Sequence, residues 1–166
     1  MRVAVNTRLL IKNELEGIGR FSYEILKELC AKNPEIHFDF IFDRPFSKKF
    51  IFNKNVTGHV LSPRTRHPFL WYYWFEIKMP KFLKKLKSDV FLSLDGFISI
   101  STEIKQIAVI HDINFEHYPE NLPFFYRKYY KLFFPKYAKK AKSIITVSDY
   151  SKNDIATTYK VKKNKI

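Results

Sequence analysis

The sequence has little cysteine, little glycine and no long apolar run. Its single cysteine, Cys30, excludes a disulfide framework and any zinc site built from cysteines. No apolar run reaches the roughly 18 residues that a membrane span needs. The first five residues enter a strand pattern directly, without the apolar region of a signal peptide. These absences predict a soluble, cytoplasmic domain.

Acidic residues are also scarce. The 166 residues include 16 Asp+Glu against 30 Lys+Arg, which gives a net charge of +14 with histidine neutral. The hydrophobic content of 46% and the aromatic content of 17% are too high for a disordered chain. The charge therefore indicates a folded domain with an anionic partner: a nucleic acid, a membrane surface or a phosphorylated substrate.

Six short apolar runs have the length and continuity of strands that are buried on both faces. Helical patterns lie between them, so we predict an α/β, Rossmann-like fold with a mostly parallel sheet and helices on both faces. The length fits one domain, over residues 1–166. The predicted strands cover residues 3–5, 37–42, 56–61, 90–94, 107–110 and 144–147.

Helix boundaries can be predicted from prolines and capping residues. A first helix covers residues 18–29, with Ile25 on its buried face. Pro68 can begin a second helix, which Pro80 kinks or splits.

Two further helices are predicted in the second half of the chain. Asn121 can cap the third, which Pro135 interrupts. Ser148 can cap the fourth, which runs towards Tyr159.

In a parallel sheet, ligands bind outside the carboxyl ends of the strands, so we expect functional residues in the loops after residues 6, 94, 110 and 147. Gly17-Ile18-Gly19-Arg20 opens the first predicted helix, where free N–H groups and a fixed charge suit a phosphate or a sugar hydroxyl. His111-Asp112 follows a predicted strand and can exchange protons or hydrogen bonds with a ligand. For the glycine segment the alternative is an ordinary helix start, and for His111-Asp112 it is a structural His–Asp pair. Ser148 could bind a ligand hydroxyl or phosphate, and the alternative is that it only caps the helix.

Three loops match one family in their order and spacing. The matching segments are Gly17-Ile18-Gly19-Arg20, then Val109-Ile110-His111-Asp112, then residues 141–155, which include Thr146-Val147-Ser148-Asp149. On these residues the chain resembles the N-terminal domain of family 4 glycosyltransferases, the retaining, nucleotide-sugar-dependent enzymes of the GT-B fold.

The resemblance implies an acceptor-side domain that faces a donor-binding domain across a cleft. That C-terminal domain is absent from the sequence, so we expect this chain alone to be inactive. The nucleotide-sugar is a co-substrate, and no metal or other cofactor is expected, because helix ends and cationic side chains stabilise the leaving diphosphate. By resemblance, the catalytic residues are His111 and Asp112, and the residues that bind the donor phosphate or sugar are Gly17, Gly19, Arg20 and Ser148.

Two segments combine positive charge with aromatic rings. Residues 64–87 contain seven Lys+Arg and both tryptophans, and residues 123–142 contain seven Lys+Arg and no acidic residue. Such segments are typical of a surface that meets an anionic membrane, here the inner face, or a lipid-phosphate-linked acceptor. Rings at helical spacing are typical of a core instead. The residues predicted for this acceptor or membrane surface are Trp71, Trp74, Lys78, Lys81, Lys84, Lys85, Arg127 and Lys128.

The predicted function is sugar transfer, of the hexosyltransferase type, from a nucleotide-sugar to a glycan or lipid-linked acceptor in polysaccharide biosynthesis. One alternative is a stand-alone domain that binds a sugar or a nucleotide. A basic nucleic-acid-binding module is the other, but we expect no nucleic acid, because the aromatic residues fall on predicted helices and no helix-turn-helix or zinc pattern is found.

Overall fold

Six parallel strands form a single sheet in the computed structural model, which describes residues 1–12 and 15–166. The strand order is β3-β2-β1-β4-β5-β6, so the chain starts in the middle of the sheet and builds outwards in both directions. This arrangement confirms the predicted Rossmann-like fold. The strands are β1 (Arg2–Asn6), β2 (His37–Phe42), β3 (Val56–Val60), β4 (Val90–Ser93), β5 (Lys105–Val109) and β6 (Ser143–Ile145).

Helices follow most of the strands and return the chain to the amino edge of the sheet. A π-helical segment (Tyr73–Lys78) joins two of them, and short 3₁₀ turns cover Lys48–Phe50, Pro119–Asn121 and Lys163–Lys165. The α-helices are α1 (Gly17–Lys32), α2 (Pro68–Tyr72), α3 (Met79–Leu86), α4 (Asn114–His117), α5 (Phe124–Lys140) and α6 (Asp149–Tyr159).

The core has two parts, one on each face of the sheet. Helix α1 covers one face, where Leu26 and Cys30 pack against Val3 and Val5 of β1 and the inward side chains of β2. Helices α2, α3, α5 and α6 cover the other face, together with the π-helical segment. Alternate residues of β1 point to opposite faces, and Ala4 belongs to the second part. Helices therefore lie on both faces, as predicted.

Both tryptophans lie in the second part of the core. Trp74 is fully buried, and its Nε1 donates to the Leu61 carbonyl oxygen at 2.6 Å. Trp71 is 7% exposed, and its Nε1 donates to the Thr65 carbonyl oxygen at 2.8 Å. The prediction that Trp71 and Trp74 form an acceptor or membrane surface is therefore wrong. The π-helical segment begins two residues after Trp71, and Trp74 is one of its buried residues.

The buried face of α1 differs by one position from the prediction. Ile25 is exposed, and the buried residues are Gly19, Ser22, Leu26 and Cys30. Gly19 lies against the loop that follows β1, where an added Cβ would be 2.7 Å from the Leu9 carbonyl oxygen. This backbone contact sets the rotation of the helix.

Helix α5 differs from the prediction at its start and in its middle. Pro123, not Asn121, precedes its first residue, and the helix continues through Pro135 without interruption. An internal proline costs about 3 kcal/mol. Burial of the aromatic rings on both sides of it offsets that cost. These rings are Tyr129, Phe133, Phe134 and Tyr137.

Candidate functional site

A small pocket lies at the carboxyl edge of the sheet, beside the ends of β4 and β5. Its volume is about 140 Å³. Ile18 of α1, Asp95 after β4, and His111 and Asp112 after β5 line it on the loop side. The opposite wall is aromatic and consists of Phe115, Tyr130 and Phe134. Two of the three loops named from the sequence therefore meet in one place.

His111 is half-buried, and a backbone carbonyl group fixes its ring. Its Nε2 lies 3.0 Å from the Leu94 carbonyl oxygen. A carbonyl oxygen can only accept, so Nε2 carries the proton and donates, which leaves Nδ1 as the acceptor of the neutral ring. The ring also packs edge-on against Phe21 of α1, with 4.8 Å between the ring centroids. His111 thus connects β4, β5 and α1 at the pocket.

Asp112 is exposed at the rim of the pocket. Its Oδ1 accepts a hydrogen bond from the Asn114 backbone N–H at 3.0 Å, in the first turn of α4. Oδ1 therefore stabilises the local turn, and the carboxylate can still accept a hydrogen bond from a ligand hydroxyl.

The two glycines of the first loop have different structural roles. Gly17 has φ +48°, a left-handed conformation that favours glycine, and no atom of residues 1–12 or 15–166 lies within 4 Å of its added Cβ. Gly19 is buried against the Leu9 carbonyl oxygen. The N-cap residue of α1, Glu16, makes no side-chain capping hydrogen bond to any described residue. Arg20 is exposed, and its guanidinium group pairs with Glu24 one turn along the helix, at 2.7 Å.

Ser148 is the N-cap of α6. Its Oγ accepts a hydrogen bond from the Ser151 backbone N–H at 3.1 Å, which confirms the capping interpretation of this residue. Ser148 as a whole is exposed. It lies outside the pocket that His111 lines.

A buried polar network behind the pocket was not predicted from the sequence. The Asp95 carboxylate accepts from Asn6 Nδ2 (2.8 Å), Ser93 Oγ (2.9 Å) and Arg8 Nε (2.6 Å). The Arg8 guanidinium group also lies 4.2 Å from the centroid of the Phe97 ring. Asn6 and Ser93 end β1 and β4, the two strands at which the order of the sheet reverses, and Arg8 and Asp95 lie in the loops that follow them. The sequence predicts functional loops after residues 6 and 94, but it does not distinguish Arg8 or Asp95 within them.

A second buried carboxylate follows β2. Asp43 accepts from Arg44 Nε (2.6 Å) and from the N–H and hydroxyl of Thr65 (2.7 Å each). Burial raises the pKa of Asp43, but the hydrogen bonds from Arg44 and Thr65 outweigh burial, so its pKa lies below the ordinary value. Arg8 reaches the same Thr65 hydroxyl at 3.4 Å, which connects the two networks.

The basic residues named from the sequence lie in two places. Lys81 and Lys84 line an open hollow with residues 101–104, just before β5 begins and therefore at the amino edge of the sheet, away from His111. Lys85 is exposed on the same helix, and Lys78 is half-buried. Arg127 and Lys128 lie on α5, beside the ring of Phe124.

The described residues contain neither a metal-binding cluster nor a membrane-spanning helix. Within residues 1–12 and 15–166, no group of three or more His, Cys, Asp or Glu side chains is placed to hold a metal ion. Over the same residues, no helix is both long and apolar enough to cross a membrane.

Comparison with known proteins identifies the family. No curated protein sequence matches the chain significantly. The family model described as Glycosyltransferase Family 4 matches residues 15–166, which is most of the chain and includes every loop around the pocket. The chain therefore belongs to glycosyltransferase family 4, as an N-terminal domain of that family.

Proposed function

We propose that this chain is the acceptor-side domain of a retaining glycosyltransferase, in which the pocket beside His111 meets the sugar being transferred. The observation that carries the proposal is the convergence of His111, Asp112 and the start of α1 on one pocket at the carboxyl edge of the sheet. Membership of the family gives a sugar donor and an acceptor in general terms. The position of the pocket supports the proposal that the reaction takes place beside His111.

In this proposal, His111 acts through Nδ1. With Nε2 donating to the Leu94 carbonyl oxygen, the neutral ring accepts a hydrogen bond at Nδ1 from a sugar hydroxyl. A protonated ring donates there instead, to the oxygen of a departing phosphate. Asp112 accepts from a second hydroxyl with its unshared oxygen. Each hydrogen bond that strengthens as the glycosidic bond to phosphate breaks lowers the barrier.

The donor in this proposal is a nucleotide-sugar, and a separate C-terminal domain holds most of it. Gly17 and the Arg20 side chain approach its phosphates from the start of α1, where the helix dipole favours an anion, and the buried Gly19 lets the helix pack against the loop after β1. Ser148 lines the floor of the cleft. Helix ends and cationic side chains stabilise the leaving diphosphate, so the proposal requires no metal ion.

The acceptor in this proposal is a glycan or a lipid-phosphate-linked glycan, as in polysaccharide synthesis. The enzyme works in the cytoplasm, with peripheral contact to the inner face of the membrane. The net charge of +14 supports an acceptor or a surface that carries negative charge.

The test is His111→Ala in the complete gene product, assayed for transfer from labelled nucleotide-sugars. We expect kcat to fall at least about a hundredfold, because a positioned proton donor or acceptor contributes that much or more. His117→Ala is the matched control. His117 ends α4, six residues after His111, but bonds to Asp154 outside the pocket, at 2.9 Å. Unaltered turnover in His111→Ala, with the fold intact by circular dichroism, contradicts the proposed role of His111.

A further inference from the structure

An apolar face lies exposed on the outer side of α2 and α5. Phe69 is 67% exposed and Phe125 is 53% exposed, and their ring centroids are 5.8 Å apart. Phe124, which is also exposed, packs edge-on against Phe125 at 5.5 Å. Monomeric proteins rarely leave a large contiguous apolar patch in water, and such patches usually mark a binding surface. We call this surface the α2–α5 face; its exposed apolar residues are Phe69, Tyr72, Phe124, Phe125 and Leu132.

The face contains a groove as well as exposed rings. The groove has a volume of about 330 Å³ and lies between α2 and α5. Tyr129 and Phe133 form its floor. Lys128 is the one charged residue among those that line it. The surface is therefore apolar in the middle and cationic at its edge.

Positive charge lies beside the α2–α5 face, on α5. The segment 123–142 carries seven Lys+Arg and no acidic residue. Within the described part of the chain, Arg127, Lys128 and Lys131 form no ion pair with a carboxylate. Uncompensated cations beside exposed aromatic rings complement an anionic interface, where the rings enter the headgroup zone and the cations meet lipid phosphates.

The α2–α5 face lies next to the candidate site. Helix α2 comes after β3, and α5 comes after β5, α4 and a 3₁₀ turn, so both lie in segments that leave the carboxyl edge of the sheet, where His111 lies. Helix α5 separates the two surfaces: Tyr129 and Phe133 line the groove, whereas Tyr130 and Phe134 line the pocket. An object that docks on this face is therefore one helix width from the pocket.

We propose that the α2–α5 face docks on the surface of an anionic lipid bilayer, with Phe69, Phe124 and Phe125 in the interfacial zone. This surface replaces the one predicted around Trp71 and Trp74, which are buried. Docking here holds the pocket close to lipid-linked molecules. The inference rests on the membrane contact in the proposed function and assigns that contact to one surface. Vesicle binding is measured without sugar transfer, so failure of this inference and failure of the proposed reaction are distinguishable.

The test is flotation of the 166-residue chain with two kinds of vesicle. One is phosphatidylcholine alone, and the other is phosphatidylcholine mixed with an equal amount of phosphatidylglycerol. We expect the chain to float with the mixed vesicles and to remain in solution with the neutral ones. Lys128→Gln with Lys131→Gln is expected to weaken partitioning about thirtyfold, which is the effect of two lysines near an anionic surface.

Phe69→Ser with Phe125→Ser removes the two exposed rings and is also expected to lower partitioning at least tenfold. Ile25→Ser with Lys27→Gln is the matched control, because both side chains are exposed on α1, across the sheet. Circular dichroism confirms that each variant folds.

The proposal is overturned if the chain does not bind the mixed vesicles, or if the α1 control variant loses as much binding as the variants of the α2–α5 face. Steeply salt-dependent binding to a single-stranded oligonucleotide, without vesicle binding, would assign the surface to nucleic acid instead.

Discussion

Two arginine–carboxylate pairs have nearly the same distance between nitrogen and oxygen but differ in burial. Arg8 Nε lies 2.6 Å from Asp95 Oδ2, with side chains 7% and 5% exposed. Arg20 Nη2 lies 2.7 Å from Glu24 Oε1, with side chains 63% and 49% exposed. Water and salt screen the second pair, whereas loss of one partner of the first leaves a charge in an apolar surrounding. The two pairs should therefore respond very differently to the same chemical change.

We predict that Asp95→Asn lowers the free energy of unfolding by about 3–5 kcal/mol, because Arg8 loses its buried counter-charge among aromatic rings. Glu24→Gln is the matched control and should cost less than about 1 kcal/mol. Urea unfolding followed by circular dichroism measures both. Similar small losses in the two variants would show that Arg8 does not depend on Asp95.

The Asp95 network also affects the candidate site. Asp95 follows Leu94, whose carbonyl oxygen accepts from His111 Nε2. The carboxylate accepts in addition from the Phe97 backbone N–H at 3.2 Å, which fixes the turn on the other side. Asp95 is thus a positioning residue for the loop that orients the His111 ring.

At the scale of the element, the start of α1 depends on two glycines for different reasons. Gly17 needs a positive φ but meets no neighbour among the described residues, whereas Gly19 has no space for a side chain next to the Leu9 carbonyl oxygen. A backbone oxygen cannot move aside as the end of a flexible side chain can. Glycine is therefore required at position 17 for backbone conformation and at position 19 for packing.

Asparagine separates these two requirements, because it tolerates left-handed backbone but carries a full side chain. We predict that Gly17→Asn costs less than about 1 kcal/mol of stability. Gly19→Asn should cost about 1–3 kcal/mol or more, since it forces α1 away from the loop after β1. Thermal unfolding of the two variants is the measurement. A smaller loss at Gly19 than at Gly17 would contradict the contact with Leu9.

Element types and order could be predicted from the sequence, whereas their mutual rotation could not. Parallel strands covered on both faces need continuous apolar residues, so runs such as 37–42 stand out. Pro68 and Ser148 mark helix starts by local chemistry alone. The rotation of α1 depends on a contact between Gly19 and Leu9, and the path of α5 through Pro135 depends on rings packed from α2. Such contacts join parts of the chain that local patterns do not relate.

The same distinction applies to the candidate site. His111 could be located because it follows a recognisable buried strand and belongs to a motif. Arg8 and Asp95 are 87 positions apart, and only the adjacency of β1 and β4 brings them together. No local pattern distinguishes either of them from a surface charge.

At the scale of the whole molecule, acid should destabilise the fold through two separate causes. The first is a pair of buried carboxylates on β2 and at its end. Burial raises the pKa of Asp39, but bonds and charges from Arg2 and His59 lower it more, and Asp43 is lowered in the same way by Arg44 and Thr65. The second cause is the net charge of +14, because protonation of carboxylates adds to the self-repulsion of the folded chain.

The two causes differ in how they respond to salt and to substitution. A folded-state pKa below the unfolded value gives stability that is complete above the unfolded pKa of about 4 and is lost as the pH falls through the folded pKa. We predict that the free energy of unfolding falls steadily from about pH 5 downwards. Added salt should restore the part due to long-range repulsion but little of the part due to Asp39 and Asp43, since their partners are in direct contact.

Arg44→Met tests the carboxylate part by itself. It removes the strongest partner of Asp43, so the folded pKa of Asp43 rises and less stability remains to be lost in acid. The slope of unfolding free energy against pH should therefore be shallower than in the unmodified chain, with lower stability at neutral pH. Arg64→Met removes one exposed positive charge without touching Asp43 and serves as the control. Equal slopes for the two variants in high salt, where long-range repulsion is screened, would show that the Arg44–Asp43 pair does not contribute to the loss of stability in acid.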